Sequence, residues 1–491
     1  MPANPRSVRS APDGATPGMP RAPKSAVGDD VLFLSVGELA ARIKARRLSP
    51  VALTEAYLAR IDRLAPRLNA FARVTPERAR AEARVAEAEI ARGLYRGPLH
   101  GVPYGAKDLF ATRGIATEWG TTACAGQMFE RDATVVRKLG EAGAVLLGKL
   151  AMVEFAGGLG YRFANASSSG PARNPWNPER WTGGSSSGAG AAVAAGLVPF
   201  ALGTETWGSI LCPSAFCGVT GLRPTYGRVS RAGAMACSWT FDKIGPLCRT
   251  AADARIVLEA IAGADPDDPS AAAEPARFPR ARAGLSRLRG AIIPLDFTKA
   301  GEPEVRDAFN RTLAELRAAG LALESAQLPE FPASEVAGMI ITAEALSSFE
   351  TFYRDGRVRK LKDVYAPWQP DINSAMTGAD LMKAWRMRTV LQEKMAEFFE
   401  RYDYIVTPNF MSVAPGIEED LYQALPYSDP VGAVGNACGL PAIALPCGFG
   451  KQQMPVGFQF VAAPWDEALL LDLGELWQSR TRFHTERPPL A

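Results

Sequence analysis

Histidine is almost missing from this chain: His100 and His484 are the two copies in 491 residues. A His-rich zinc site cannot be assembled from them, and a histidine general base has two positions to occupy. The seven cysteines are odd in number and contain no C-x-x-C pair. Several of them sit in apolar segments. This favours buried, reduced thiols and a reducing, cytoplasmic setting. Charge of one sign is not in excess, with 55 basic against 52 acidic residues and a formal charge of +3. A nucleic-acid or membrane-surface protein needs a clustered basic face, so neither partner is expected. No apolar run reaches the roughly 18 residues of a membrane span, and the Ala/Gly stretch 189–197 is too short and too rich in small residues to be one. Residues 1–30, rich in Pro, Arg, Ser and Gly, lack the apolar core of a secretory signal. They read as a disordered leader outside the fold.

Apolar residues make up 47% of the chain, which is a globular composition. The length allows several conventional domains or one large α/β domain with insertions. Residues 34–48 and 49–65 read as helices. Ser49–Pro50 supplies an N-cap and a first-turn proline, and Leu53, Tyr57, Ile61 and Leu64 share one face. Residues 76–92 read as a charged, Ala-rich surface helix with little apolar stripe. From residue 99 the pattern changes to short, glycine-bounded strands such as "GVPYGAKDLF", "AVLLGK" and "VPFALGT", separated by helices or loops. This alternation predicts an α/β sandwich around a buried sheet. After a Pro/Asp/Ala linker at 264–282, strands recur in "LRGAIIPLDF", "LALESAQLP", "YDYIVTP" and "LPAIALPCG". Residues 337–401 are mostly helical around a loop "YAPWQPDINSAMTG", and "WDEALLLDLGELWQSRT" reads as a closing helix. The pieces after 290 read as a continuation of one sheet.

Serines fall in two glycine-bracketed knots. "GSSSG" at 184–188 matches G-x-S-x-G around Ser186, but a nucleophile elbow needs a strand directly before it and a downstream histidine. Here a proline-broken loop precedes it, and His484 is the one histidine that follows. Ser209 fits attack chemistry better. It follows the strand "VPFALG" through the tight turn "TETWGS", whose backbone N–H groups can cradle a developing oxyanion. Serine needs a base, and with histidine so scarce a lysine is the natural one, as in Ser–Lys variants of the triad. A lysine acts as a base only when neutral, which at its ordinary pKa holds for about one in two thousand at pH 7. Burial lowers that pKa. Lys107, in an apolar glycine-lined strand, fits best, and Lys149 in "LLGKLAM" is the second choice.

These segments resemble the amidase signature family, from about residue 35 to 480. "GPLHGVPYGAKDLF" is similar to its lysine segment. "TGGSSSGAGAAVAAG" and "ALGTETWGSILCPSAFCGVTGLRPTYGRVS" are similar to its Gly/Ser-rich signature, and "YDYIVTP", "NACGLPAIALPCG" and "MPVGFQFV" to its C-terminal strands. The resemblance implies a single α/β/α domain over 31–491 around a large mixed, twisted sheet, with N-terminal helices at 34–92 and a variable substrate-side helical region at about 337–401. It also implies a Ser–cis-Ser–Lys triad. Ser209 would be the acylated nucleophile, Ser185 the bridging serine after a cis peptide, and Lys107 the base. The backbone at Thr206, Trp207, Gly208 and Ser209 would form the oxyanion hole, and Met152 would lie near the acyl pocket. No cofactor and no metal are implied.

Three positions depart from the commonest family pattern. Glu205 replaces an aspartate and Trp207 a frequent glycine, whose indole would wall the pocket and favour apolar or aromatic acyl groups. Leu211 stands in place of an arginine, which argues against a substrate carboxylate bound there. His100 reads as a satisfied loop histidine, and Asp108 and Glu154 as structural acids. The expected activity is hydrolysis of carboxamide C–N bonds through a seryl acyl-enzyme, with side activity on esters or carbamates. The expected partner is a small-molecule amide or carbamate, and a homodimer is left open. The alternative is the glutamine-hydrolysing catalytic component of a tRNA-dependent amidotransferase; a binding scaffold with an inactive site is the third reading.

Overall fold

The computed structural model describes residues 27–280, 284–297, 301–425 and 429–490. Most of the expected leader, 1–26, lies outside the described residues. The expected boundary at 30 falls inside a 3₁₀ turn, Asp29–Phe33, where Asp29 pairs with Arg60 at 2.6 Å. Helix α1 spans Val36–Lys44 and α2 Pro50–Leu68. Ser49 caps α2 by accepting from the Ala52 N–H at 3.0 Å. Helix α3, Pro76–Ala91, is not the stripeless surface helix that its charge suggests. Ala79, Ala83, Ala86 and Ile90 are buried on one face. Small residues at helical spacing let α3 lie close to its neighbours, a face that a scan for large apolar residues overlooks.

Among the described residues eleven strands form one sheet: β1 Phe71–Val74, β2 Pro103–Lys107, β3 Val145–Leu150, β4 Phe200–Glu205, β5 Thr220–Arg223, β6 Lys243–Cys248, β7 Arg289–Ile292, β8 Ala322–Ser325, β9 Tyr404–Pro408, β10 Ala442–Phe449 and β11 Pro455–Ala462. Their order is β1-β3-β2-β4-β6-β5-β10-β11-β9-β7-β8. Pairings are mixed: β2 runs parallel to β3 and β4, while β4–β6 and β10–β11 are antiparallel. Helices cover both faces, and the period of two along a strand sorts side chains between them. On β10, Ile443, Leu445 and Cys447 join the main core, whereas Ala442 and Ala444 join a second cluster. That second cluster is built with α9, Ala333–Ser348, and the helix Gly378–Arg401. Every residue of β2, β3 and β4 is buried, so a polar side chain on these strands must find its partners inside the protein. Among the described residues no helix is long and apolar enough to cross a membrane.

Candidate active site

Strand β2 ends on Lys107, which is fully buried. Its Nζ lies 2.8 Å from Ser185 Oγ and 2.9 Å from Thr204 Oγ1. Ser185 Oγ in turn lies 3.0 Å from Ser209 Oγ. One chain of hydrogen-bonding distances therefore joins Lys107, Ser185 and Ser209. Burial pulls the Lys107 ammonium down to about 7, while the acidic neighbours Cys237, Asp242 and Glu205 work against that shift. The peptide bond between Gly184 and Ser185 is cis.

Local sequence explains how the three side chains meet. The run of small residues 187–194 forms a fully buried helix, α5, which carries the serine knot down onto the sheet. Ser186 does not point to the cavity. Its Oγ donates to the Thr204 carbonyl at 3.2 Å and accepts the Thr204 N–H at 3.3 Å. A Cβ on Gly203 would come within 2.9 Å of that Oγ, so glycine is what lets Ser186 clamp onto β4. Ser187 Oγ donates to the Ala151 carbonyl at 3.3 Å.

After β4 the chain turns through 206–210 into a short helix, α6, Leu211–Cys217. Gly208 takes φ +82° in this turn, and a Cβ there would meet nothing within 4 Å. Backbone conformation rather than space therefore selects glycine at 208. Buried Glu205 closes the turn from below by accepting the N–H groups of Ile210 at 2.9 Å and Leu211 at 3.0 Å. It also accepts from Arg223 Nη1 at 2.7 Å and Asn436 Nδ2 at 3.2 Å. Burial pushes its carboxyl up, but Arg223, Lys243 and these donors outweigh it and hold the group below the ordinary carboxylate value. Thr206 Oγ1 donates to Asp242 Oδ1 at 2.6 Å, and Asp242 Oδ2 accepts the N–H groups of Cys237 and Ser238 at 2.8 and 3.0 Å. Among the described residues, no hydrogen bond takes up the N–H groups of Trp207, Gly208 or Ser209.

Ser209 opens on a cavity of about 320 Å³ that Thr206, Trp207 and Gly208 also line. Its other walls include Tyr161, Trp181, Ile341, Phe410 and Leu425, with Asp429 as the one acid among the described residues. No lysine or arginine lines it among the described residues. Met152 is buried against Gly120 and is not on this wall. Leu211 is also buried, in the second core cluster.

Other residues singled out from the sequence sit elsewhere. Lys149 is buried with Nζ at 2.7 Å from the Phe110 carbonyl, 2.5 Å from Thr117 Oγ1 and 3.4 Å from Asp108 Oδ1. Those partners commit it to structure rather than to the serines. His100 accepts the Arg96 N–H at Nδ1 and places Nε2 3.0 Å from Glu89. Glu154 accepts backbone N–H groups of Lys362 and Asp363. Sequence reasoning missed Thr204, Asp242 and Asp429. Thr204 lies within the singled-out "ALGTETWGSI", where a strand threonine carries no mark of its own, and Asp242 in "TFDKIG" and Asp429 in "YSDPVG" carry no spacing signal.

The amidase family model matches residues 52–471. A component of the glutamyl-tRNA(Gln) amidotransferase of Moorella thermoacetica is 39% identical, with 94% of this chain and 99% of that one covered. Among solved structures, the peptide amidase of Stenotrophomonas maltophilia is 31% identical with a TM-score of 0.81, covering 93% of this chain and 98% of its own. A chain from a complex described as revealing the evolutionary origins of an s-triazine catabolic enzyme is 32% identical with a TM-score of 0.83, covering 91% of this chain and 98% of its own. The family match spans most of the chain and the relatives are covered nearly end to end, and the chain belongs to the amidase signature family.

Proposed function

We propose that this chain hydrolyses carboxamide C–N bonds through an acyl-enzyme on Ser209. The observation that carries the reading is the buried Lys107–Ser185–Ser209 chain opening on one cavity. Neutral Lys107 accepts the Ser185 proton as Ser185 takes the Ser209 proton, and Ser209 Oγ attacks the carbonyl carbon. The N–H groups at 206–209 face the oxygen that gains charge. When the tetrahedral intermediate collapses, Lys107 returns its proton through Ser185 to the leaving nitrogen and the C–N bond breaks. Water then attacks the ester, gives its proton to the same relay, and frees the acid and Ser209. The relay does not depend on nitrogen in the leaving group, so esters and carbamates are expected side substrates. Ile341 on the cavity wall supports 337–401 as the substrate-side part of a single domain.

Two readings of the substrate follow. A largely apolar wall with no cation among the described residues favours neutral amides as free substrates, since the carboxylate of glutamine would be desolvated without a partner there. The name of the Moorella relative favours the second reading, a glutamine-hydrolysing component of a tRNA-dependent amidotransferase. Assays on glutamine and on aryl amides, with co-purification of the other components, separate them. For the shared chemistry, Ser209→Ala and Lys107→Ala are each expected to lose at least about 10³-fold in kcat, and chelator is expected to change nothing. Full activity in either variant overturns the acyl-enzyme.

A further inference from the structure

Trp207, Asp429 and Ser209 line the same cavity. Gly432 lies between the first two. A Cβ built there would be 2.7 Å from Trp207 Nε1 and 3.0 Å from Asp429 Cβ. Gly432 is not among the glycines of positive φ, and it opens the helix Gly432–Ala437. Backbone conformation does not require glycine here, whereas the indole does.

Asp429 is 6% exposed. Its Oδ1 accepts the Val431 N–H at 3.0 Å and Gln459 Nε2 at 2.5 Å. Its Oδ2 is closed off from solvent and has no hydrogen-bond partner among the described residues. Burial pushes this carboxyl up to about 7, with Arg223 and the two donors opposing the shift. Among the described residues, the one carboxyl on the cavity wall therefore has an unpaired oxygen that is covered from solvent, with the Trp207 ring close beside it. Away from Thr206, Ser209 and the two cysteines, the other large side chains on the walls are Tyr161, Trp181, Ile341, Phe410 and Leu425, as an apolar group demands.

We propose that Trp207 is a specificity-determining residue: its indole fills the space beside Asp429 that Gly432 leaves open, so the site takes neutral carboxamides with an aryl or branched-alkyl acyl group and turns away those bearing an ammonium. This inference rests on Ser209 being the acylated residue. Removing the indole exposes Asp429 Oδ2 to the acyl group. A carboxylate in a confined, poorly hydrated space then attracts an ammonium strongly.

The test compares 3-phenylpropanamide with phenylalaninamide, which share a carbon skeleton and differ by the α-ammonium. The parent enzyme is expected to prefer the former. Trp207→Ala is expected to move the kcat/KM ratio toward phenylalaninamide by about tenfold or more, mostly through KM. Adding Asp429→Asn should cancel that shift. Gly432→Ala should depress hydrolysis of 3-phenylpropanamide in the parent, and do so much less when position 207 is alanine. If Trp207→Ala does not fold, Trp207→Phe and the Gly432→Ala comparison carry the same readout. An unchanged ratio in a folded, Ser209-dependent variant overturns the inference, as does an equal Gly432→Ala effect in both backgrounds. Hydrolysis persisting in Ser209→Ala is a separate failure, of the acyl-enzyme itself.

Discussion

Lys107 can accept a proton only as the free amine, and burial on every side is what brings that form within reach of neutral pH. The sign follows directly. Below about 7 the amine is protonated, and the proposed relay would have nowhere to send the Ser209 proton. Above it the base is free. The pH profile of kcat/KM is therefore expected to rise through about 7 and level off, read with a neutral amide whose own charge does not change. Lys107→Arg, whose guanidinium stays charged at every accessible pH, should be inactive across the same range. A Lys107→Arg enzyme with parental activity would remove the lysine from the proton path. Lys107 and Ser209 are legible from residue chemistry, because a histidine-poor site leaves few residue types to choose from, whereas Ser185 is singled out only by the resemblance to the family. Thr204 and Asp242 are not legible, since a buried threonine or aspartate is marked only by the partners that folding brings to it.

At the scale of elements, the site is a strand, a turn and a helix held from beneath by Glu205. That carboxylate bridges the N–H groups entering α6 and the guanidinium of Arg223 on β5, all of it buried. Removing one partner of a buried ion pair leaves the other charge uncompensated, which typically costs about 3–5 kcal/mol. Glu205→Ala is accordingly expected to destabilise the protein by about that amount in denaturant unfolding and to lose activity with it. Glu205→Asp, which keeps the charge, should lose much less; equal losses in the two would remove the bridge from the account. The strands carrying Lys107 and leading to Ser209 were readable as apolar runs bounded by glycine. Strands β5 and β6 were harder, because "TGLR" and "KIGPLC" contain glycine, proline and charge, all poor strand signals. Tertiary packing decides there: a Cβ on Gly245 would sit 2.0 Å from the Leu222 carbonyl oxygen, so the residue that weakens the local signal permits the close pairing.

For the whole molecule, the question is how a helical region far along the chain comes to wall a site built from residues 107–209. Single-sheet order settles part of it, since β9, β10 and β11 return the C-terminal segments to the side of β5. The rest is done by a few long-range ties, none visible in sequence because each joins residues separated by a hundred positions or more. Arg162 pairs with Asp420 and reaches the Tyr365 hydroxyl at 2.5 Å. Glu154 receives the backbone at 362–363. Glu344 on α9 accepts from the Ser238 hydroxyl, and from the Thr240 hydroxyl at 2.9 Å and N–H at 3.2 Å. That last tie binds α9, and with it Ile341 on the cavity wall, to the loop whose Cys237 and Ser238 N–H groups hold Asp242. Hydrogen bonds to a charged group are worth about 1.5–3 kcal/mol each. Loosening them should therefore let the wall move while the Lys107–Ser185–Ser209 chain, held by β2, by the Ser186 clamp onto β4 and by the turn that Glu205 closes, keeps its geometry. Glu344→Ala is expected to raise KM several-fold for amides with bulky acyl groups while kcat changes little, with a modest fall in Tm. Steady-state kinetics on a small and a bulky amide check it. Equal effects on the two substrates, or a loss confined to kcat, would mean that α9 supports the reacting groups rather than the acyl wall.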